Sequence, residues 1–382
     1  MRLLPLLLPL VALPTALGWG AAGHEHPLLL PSPPPLSTSD LRAQIVATLA
    51  EIHLHPTVLA YIRASGLLPD YAHGHLAGVA TWADRIRGLP AYRWAGQLHY
   101  TSWGADHPPD ACQWAGENGE ADDGGWKSEL DVLHAIGNYS TRLEANPEDW
   151  ESFRFLIHFL GDVHQPMHLT GRERGGNGDP VTWDGRRTNL HSLWDGLLIA
   201  RTLREQRNYT APLPSKQIES ALNGAIYDPY IRLLVWEGIR SWYRTSLPSW
   251  LSCPSSPAHL SSAGDQLSFS APLQSGLDSV VCPVSWATAT HRVTCELAFP
   301  EGYDMDAHPQ PEIGGNSEFW RKLKADHSLA RLLLQGGLRL ASVLNTVLAA
   351  PARDLAEKNG WVALLERDEV GAVNLGWLVD VE

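Results

Sequence analysis

His158-Phe-Leu-Gly-Asp162-Val-His164-Gln-Pro166-Met-His168 is the stretch on which the reading of this chain turns, and His191-Ser-Leu-Trp-Asp195 follows it. Residues four apart share one face of a helix. His158 with Asp162, and His191 with Asp195, therefore each offer a nitrogen and an oxygen to one side. Imidazole and carboxylate together are a ligand set suited to zinc. Pro166 ends the first helix near Gln165, so His168 projects from the turn beyond it and reaches a different ion. A single His-x-x-x-Asp pair is ordinarily a solvated couple or a capped core histidine. Two pairs, an extra histidine and the apolar flank Phe155, Leu156, Ile157, Phe159 and Leu160 predict a metal centre on buried helices.

Outward from that stretch the periodicity is helical. Ile45, Leu49, Ile52, Val58 and Ile62 are spaced as a helical face over 41–65, and Leu130, Leu133, Ile136 and Leu143 over 129–144. Helices are expected over 151–165, 190–206 and, as a pair, 216–246. The broad apolar stripe of 320–349 suits a buried helix. Val181-Thr-Trp183 before Asp184-Gly185 is the one convincing hairpin signal. Long helices, loops and almost no strand predict an all-α fold, a single helical domain with one small β-hairpin. The proline-rich stretch 26–44 is read as an insertion ahead of the first helix. The Ser/Pro/Ala/Gly-rich 254–280 is read as a surface loop.

The chain has 382 residues, enough for one large domain or two ordinary ones. Residues 1–18 carry a basic start, an apolar Leu/Pro/Val run and small residues at Ala16 and Gly18, the pattern of a signal peptide. The expected mature protein is secreted, extracellular, monomeric and not membrane-bound. In that compartment Cys112, Cys253, Cys282 and Cys295 pair as two disulfides, with three pairings open. Asn138-Tyr-Ser140 and Asn208-Tyr-Thr210 are glycosylation acceptors. The formal net charge of −13 excludes nucleic-acid binding through a broad basic face, but not an enzyme that acts on nucleic acid through bound cations.

Further motifs complete a pattern: Trp19-Gly-Ala-Ala-Gly-His24, Trp82-Ala-Asp84-Arg-Ile-Arg87, Leu98-His99-Tyr100, the 158–168 block and Thr188-Asn-Leu-His191-Ser-Leu-Trp-Asp195. In these the chain resembles the secreted, zinc-dependent, single-strand-specific nucleases and 3′-nucleotidases of fungi and plants, the mung bean nuclease type. The match runs from Trp19 to about residue 350, leaving 351–382 as a C-terminal extension. The resemblance implies a zinc phospholipase C-like helical fold and three zinc ions. Asp84, His99, His158 and Asp162 would hold the first. The free amine and carbonyl of Trp19, with His24 and the bridging Asp162, would hold the second. His168, His191 and Asp195 would hold a third, more open ion. It further implies cleavage of single-stranded DNA and RNA to 5′-phosphorylated products by a metal-bound hydroxide, together with action on 3′-nucleotides. Arg87 would clamp phosphate and Tyr100 would stack on a base. Ser102 stands where well-known relatives have a base-binding Asp. The resemblance also pairs Cys112 with Cys295, leaving Cys253 and Cys282 to close the Ser/Pro-rich loop.

Two other readings compete. A zinc phospholipase C uses the same kinds of ligand, but its later helix carries His-x-x-x-Glu where this chain has His191-x-x-x-Asp195. An inactive secreted zinc-binding protein is disfavoured because every ligand position is filled. His53, His55, His73, His75, His134 and His164 have no assigned role, and His164 is expected to be structural.

Overall fold

Asp149 accepts a hydrogen bond from the Ser152 backbone N–H and so caps α5, Trp150–Asp162, relieving one of the orphan donors of a helix start. Every residue of α5 from Ser152 to Asp162 is buried, polar Arg154, His158 and Asp162 among them. The computed structural model describes residues 40–104, 106–114, 130–254, 276–304 and 310–361. Trp19, His24, the expected signal peptide and the proline-rich residues 26–39 lie outside these, as do 255–275 of the expected loop and 362–382 of the extension.

Four elements surround α5: α1 (Asp40–Ile52), α3 (Trp82–Ile86), α4 (Val132–Ala145) and the long helix Ser328–Val347. Asp131 caps α4 by accepting from the backbone N–H groups of Leu133 and His134. Phe155 and Phe159 stack on one another at 5.2 Å, and Tyr139 of α4 stacks on Phe155 at 4.7 Å. Trp82 of α3 meets the Phe155 ring edge-on. The expected helix over 41–65 is two elements, because the His55 side chain accepts from Thr57 N–H and Pro56 opens α2 (Pro56–Ala64), a position where proline's missing donor costs nothing. Asp40–Gln44, the end of the stretch read as an insertion, are helical. Leu41 and Ile45 continue the buried face of α1, and burying that face outweighs the loop-like composition of the residues before it.

The long helix crosses α1 at backbone distance. A Cβ on Gly337 would lie 2.5 Å from Leu49 Cβ and 3.2 Å from the Val46 carbonyl, and one on Gly336 would lie 3.3 Å from the Leu160 carbonyl. These two glycines are therefore required by close approach. No single described helix is long and apolar enough to cross a membrane.

The hairpin forms as expected. Strand β1 (Pro180–Trp183) pairs antiparallel with β2 (Arg186–Asn189), Trp183 opposite Arg186. Asp184 and Gly185 at the turn both have positive φ, 50° and 75°, as a type I′ turn demands. Trp183 inserts into a second apolar cluster with Trp194, Phe299 and Trp320. Both disulfides are those expected, Cys112–Cys295 and Cys253–Cys282.

Gly337→Ala is expected to destabilise the protein by about 1–3 kcal/mol through overpacking. Gly96→Ala, where an added methyl meets nothing within 4 Å, is expected to stay within about 0.5 kcal/mol. Chemical denaturation of both variants checks this, and equal midpoints would refute the backbone-contact account.

Candidate metal centre

The first cluster is assembled by three elements. Asp84 comes from α3, His99 from the end of the 3-10 helix Pro90–His99, and His158 from α5. Their ligand atoms lie within 4.8 Å of one another. His158 Nε2 is 3.6 Å from Asp84 Oδ2 and 3.2 Å from Asp162 Oδ2, and His99 Nδ1 is 2.9 Å from that same Asp162 oxygen. Four donors around zinc at about 2.0–2.2 Å stand roughly 3.3 Å apart, so these spacings suit one ion. His158 Nε2 is buried without a hydrogen-bond partner. Its Nδ1 lies 2.7 Å from the Ala80 carbonyl, the arrangement by which a protein fixes a ligating imidazole.

The second cluster is His168, His191 and Asp195. His191 Nε2 is 3.1 Å and His168 Nε2 3.4 Å from Asp195 carboxylate oxygens. His191 Nδ1 is held 2.8 Å from the Gly175 carbonyl. His168 sits in the short turn Pro166–Leu169 that follows α5, where the proline was expected to put it. Asp162 joins the two clusters: Oδ2 faces His99 and His158, while Oδ1 lies 3.3 Å from His168 Nδ1. The orphaned imidazole nitrogen and the mixed donor set fit zinc at both clusters.

Electrostatics reflect that sharing. Burial works against the Asp162 carboxylate, but His158, His168 and Arg42 outweigh it and hold its pKa well below the usual range. Burial opposes the charged form of His158 too, yet Asp162 and Asp84 push its pKa up to about 9. Asp195 is likewise held well down, burial being overcome by its hydrogen bonds to His168 and His191.

At the rim, the half-exposed Arg87 guanidinium lies 3.3 Å from Asp84 Oδ1, and the Tyr100 ring is 51% exposed beside His99. Ser102 is partly exposed nearby in sequence. Asn138 and Asn208 are both exposed. The unassigned histidines join neither cluster. His164, held 2.7 Å from the Leu160 carbonyl and 2.6 Å from Arg339, is structural as expected; His53 is buried against Leu49 O and pushed down to about 4 by that burial. Asp106, His291 and Cys295 form another close group, but its sulfur is committed to a disulfide.

Sequence reasoning missed three features. Gln165 donates from Nε2 to Asp195 Oδ1 at 2.8 Å, orienting that ligand. The 190–206 helix contains a π turn at Leu193–Leu197, a distortion frequent at functional sites. Arg42 of α1 donates from Nη2 to Asp162 Oδ1 at 2.9 Å and lies 3.5 Å from Asp195 Oδ1. A signal for Arg42 existed: it falls on the apolar face of α1, three and four residues before Ile45 and Val46.

These shifts have a pH consequence for chelator-treated protein. The stability that Asp162 contributes is present above about pH 4 and lost as pH falls below it. The stability that His158 contributes is full below its unfolded value of about 6.5 and is lost as pH rises to about 9, at most about 3 kcal/mol. Melting temperatures with chelator should therefore decline from pH 6.5 to 9, and His158→Asn should flatten that decline. An unchanged alkaline limb in the variant would contradict the assignment.

Comparison with known proteins places this geometry. The family model described as S1/P1 Nuclease matches residues 43–349, beginning one residue after Arg42. Endonuclease 4 of Arabidopsis thaliana is 27% identical over 352 residues, covering 88% of this chain and 91% of the relative. Nuclease S1 of Aspergillus oryzae is 31% identical over 263 residues, 63% of this chain and 82% of the relative. Nuclease P1 of Penicillium citrinum is 33% identical over 181 residues, 46% and 57% respectively. With four-fifths of its length matched by the family model, the chain belongs to the S1/P1 nuclease family.

Proposed function

We propose that this protein is an exported, zinc-dependent endonuclease that hydrolyses single-stranded DNA and RNA to 5′-phosphorylated products and also dephosphorylates 3′-nucleotides. The observation that carries this reading is the pair of ligand clusters sharing one carboxylate, Asp162. Bound zinc would lower the pKa of coordinated water and neutralise charge developing on a phosphoryl group. Asp84, His99, His158 and Asp162 would hold one ion and His168, His191 and Asp195 another. Ala80 and Gly175 fix two of the imidazoles, and Gln165 fixes Asp195, so the ligands need little rearrangement.

The rim residues supply recognition. Arg87 lies within reach of phosphoryl oxygens approaching the Asp84 cluster, and its planar fork suits them. Tyr100 offers an exposed face on which an unpaired base stacks; a base inside a duplex cannot reach it, which supports single-strand preference without a base code. Both disulfides support an oxidising compartment, and the exposure of Asn138 and Asn208 supports glycosylation there. Trp19 and His24, to which the resemblance gives a further ion shared with Asp162, lie outside the described residues. Asp195 in place of Glu, together with Arg87 and Tyr100, favours the nuclease over a phospholipase C.

The test is a parallel assay of zinc-loaded protein on a single-stranded oligonucleotide, its duplex, 3′-AMP and phosphatidylcholine vesicles. Single-strand cleavage leaving 5′-phosphate is expected, and faster hydrolysis of phosphatidylcholine would overturn the reading. Asp162→Asn should lower turnover at least about 100-fold. Tyr100→Ala should weaken single-strand binding by about 1–3 kcal/mol while keeping the zinc content unchanged.

A further inference from the structure

Arg42 is a buried cation lodged among metal-ligating side chains. Its side chain is only 8% exposed, against 0% for Asp162. Nη2 takes the Asp162 oxygen that faces away from the first cluster and also approaches Asp195 of the second. Nε and Nη1 are buried without a hydrogen-bond partner. A buried guanidinium that leaves two of its nitrogens unsatisfied is an expensive residue, and what offsets that cost is charge: two carboxylates close together need a cation between them. A guanidinium does not lose its proton in the accessible pH range, so the charge is permanent.

Resting on the zinc reading of the two clusters, we propose that Arg42 is a built-in cation that takes the seat of the ion the resemblance gives to Trp19, His24 and Asp162, so that the chain holds two zinc ions rather than three. A zinc ion on Asp162 Oδ1 would bond at about 2.0–2.2 Å, in the space where Nη2 already stands 2.9 Å from that oxygen. Two cations that close repel strongly in a buried setting. Arg42 cannot withdraw by a shift of its helix, because α1 is packed at backbone distance against the long helix at Gly337. A side-chain swing would strand the guanidinium without a counter-ion.

Zinc counting by mass spectrometry on full-length secreted protein, with melting temperatures in chelator and in excess zinc, decides the matter. Wild type is expected to saturate at two ions. Arg42→Gln is expected to melt lower than wild type in chelator, since Asp162 and Asp195 lose their counter-ion. Excess zinc should then raise the variant's melting temperature further than it raises that of wild type, because the freed oxygen accepts an additional ion. Arg42→Lys, which keeps the charge, should stay at two. Three tightly bound ions in wild type, or an Arg42→Gln variant with the same count and the same zinc-dependent melting shift, would overturn the proposal. Wild-type stoichiometry decides even if the variant does not fold. Failure of the nuclease reading shows separately, as zinc-loaded wild type that leaves single strands intact.

Discussion

The structure depends on keeping one carboxylate charged where water cannot reach it. Asp162 has no solvent exposure, and an isolated carboxylate buried so deeply would simply take up a proton. His99, His158, His168 and Arg42 prevent that, each arriving from a different turn of chain. The requirement explains why α5 is buried on all sides. Its end must reach the interior, and only neighbours on every face can bring enough partners to it. A carboxylate with two faces can also serve two ions, so the device that stabilises the charge sets the spacing of the clusters.

Much of this was legible in the sequence because the responsible residues are close together. Four-residue spacing on an apolar helix puts His158 beside Asp162 whatever the rest of the chain does, and Pro166 fixes where His168 emerges. The Asp184-Gly185 turn was equally readable, since few dipeptides accept two positive φ angles in succession. Both disulfides followed from family resemblance rather than from any local rule.

What escaped notice depends on long-range packing. Arg42 stands on the apolar face of α1, which marks it as buried, but its partners lie 120 and 153 residues away and no local pattern names them. The π turn escaped for a different reason: it is defined by its i to i+5 backbone bonding, and five residues, Leu193–Leu197, are too few to show a change of period. Gln165 was passed over because a glutamine beside a proline is locally unremarkable, and its role exists only once Asp195 stands in front of it.

The glycine crossing between α1 and the long helix makes the distance between Arg42 and Gly337 a fixed length. The long helix is a rigid rod, and at Gly337 the Val46 carbonyl and Leu49 of α1 rest directly against its backbone. A substitution at Val46, Leu49 or Gly337 that lifts α1 outward would thus carry Arg42 with it, away from Asp162. Residues chosen for tight packing act here as the stop against which a charge is set. Sequence drift in that crossing is consequently constrained by the electrostatics of the centre as well as by the volume of the core.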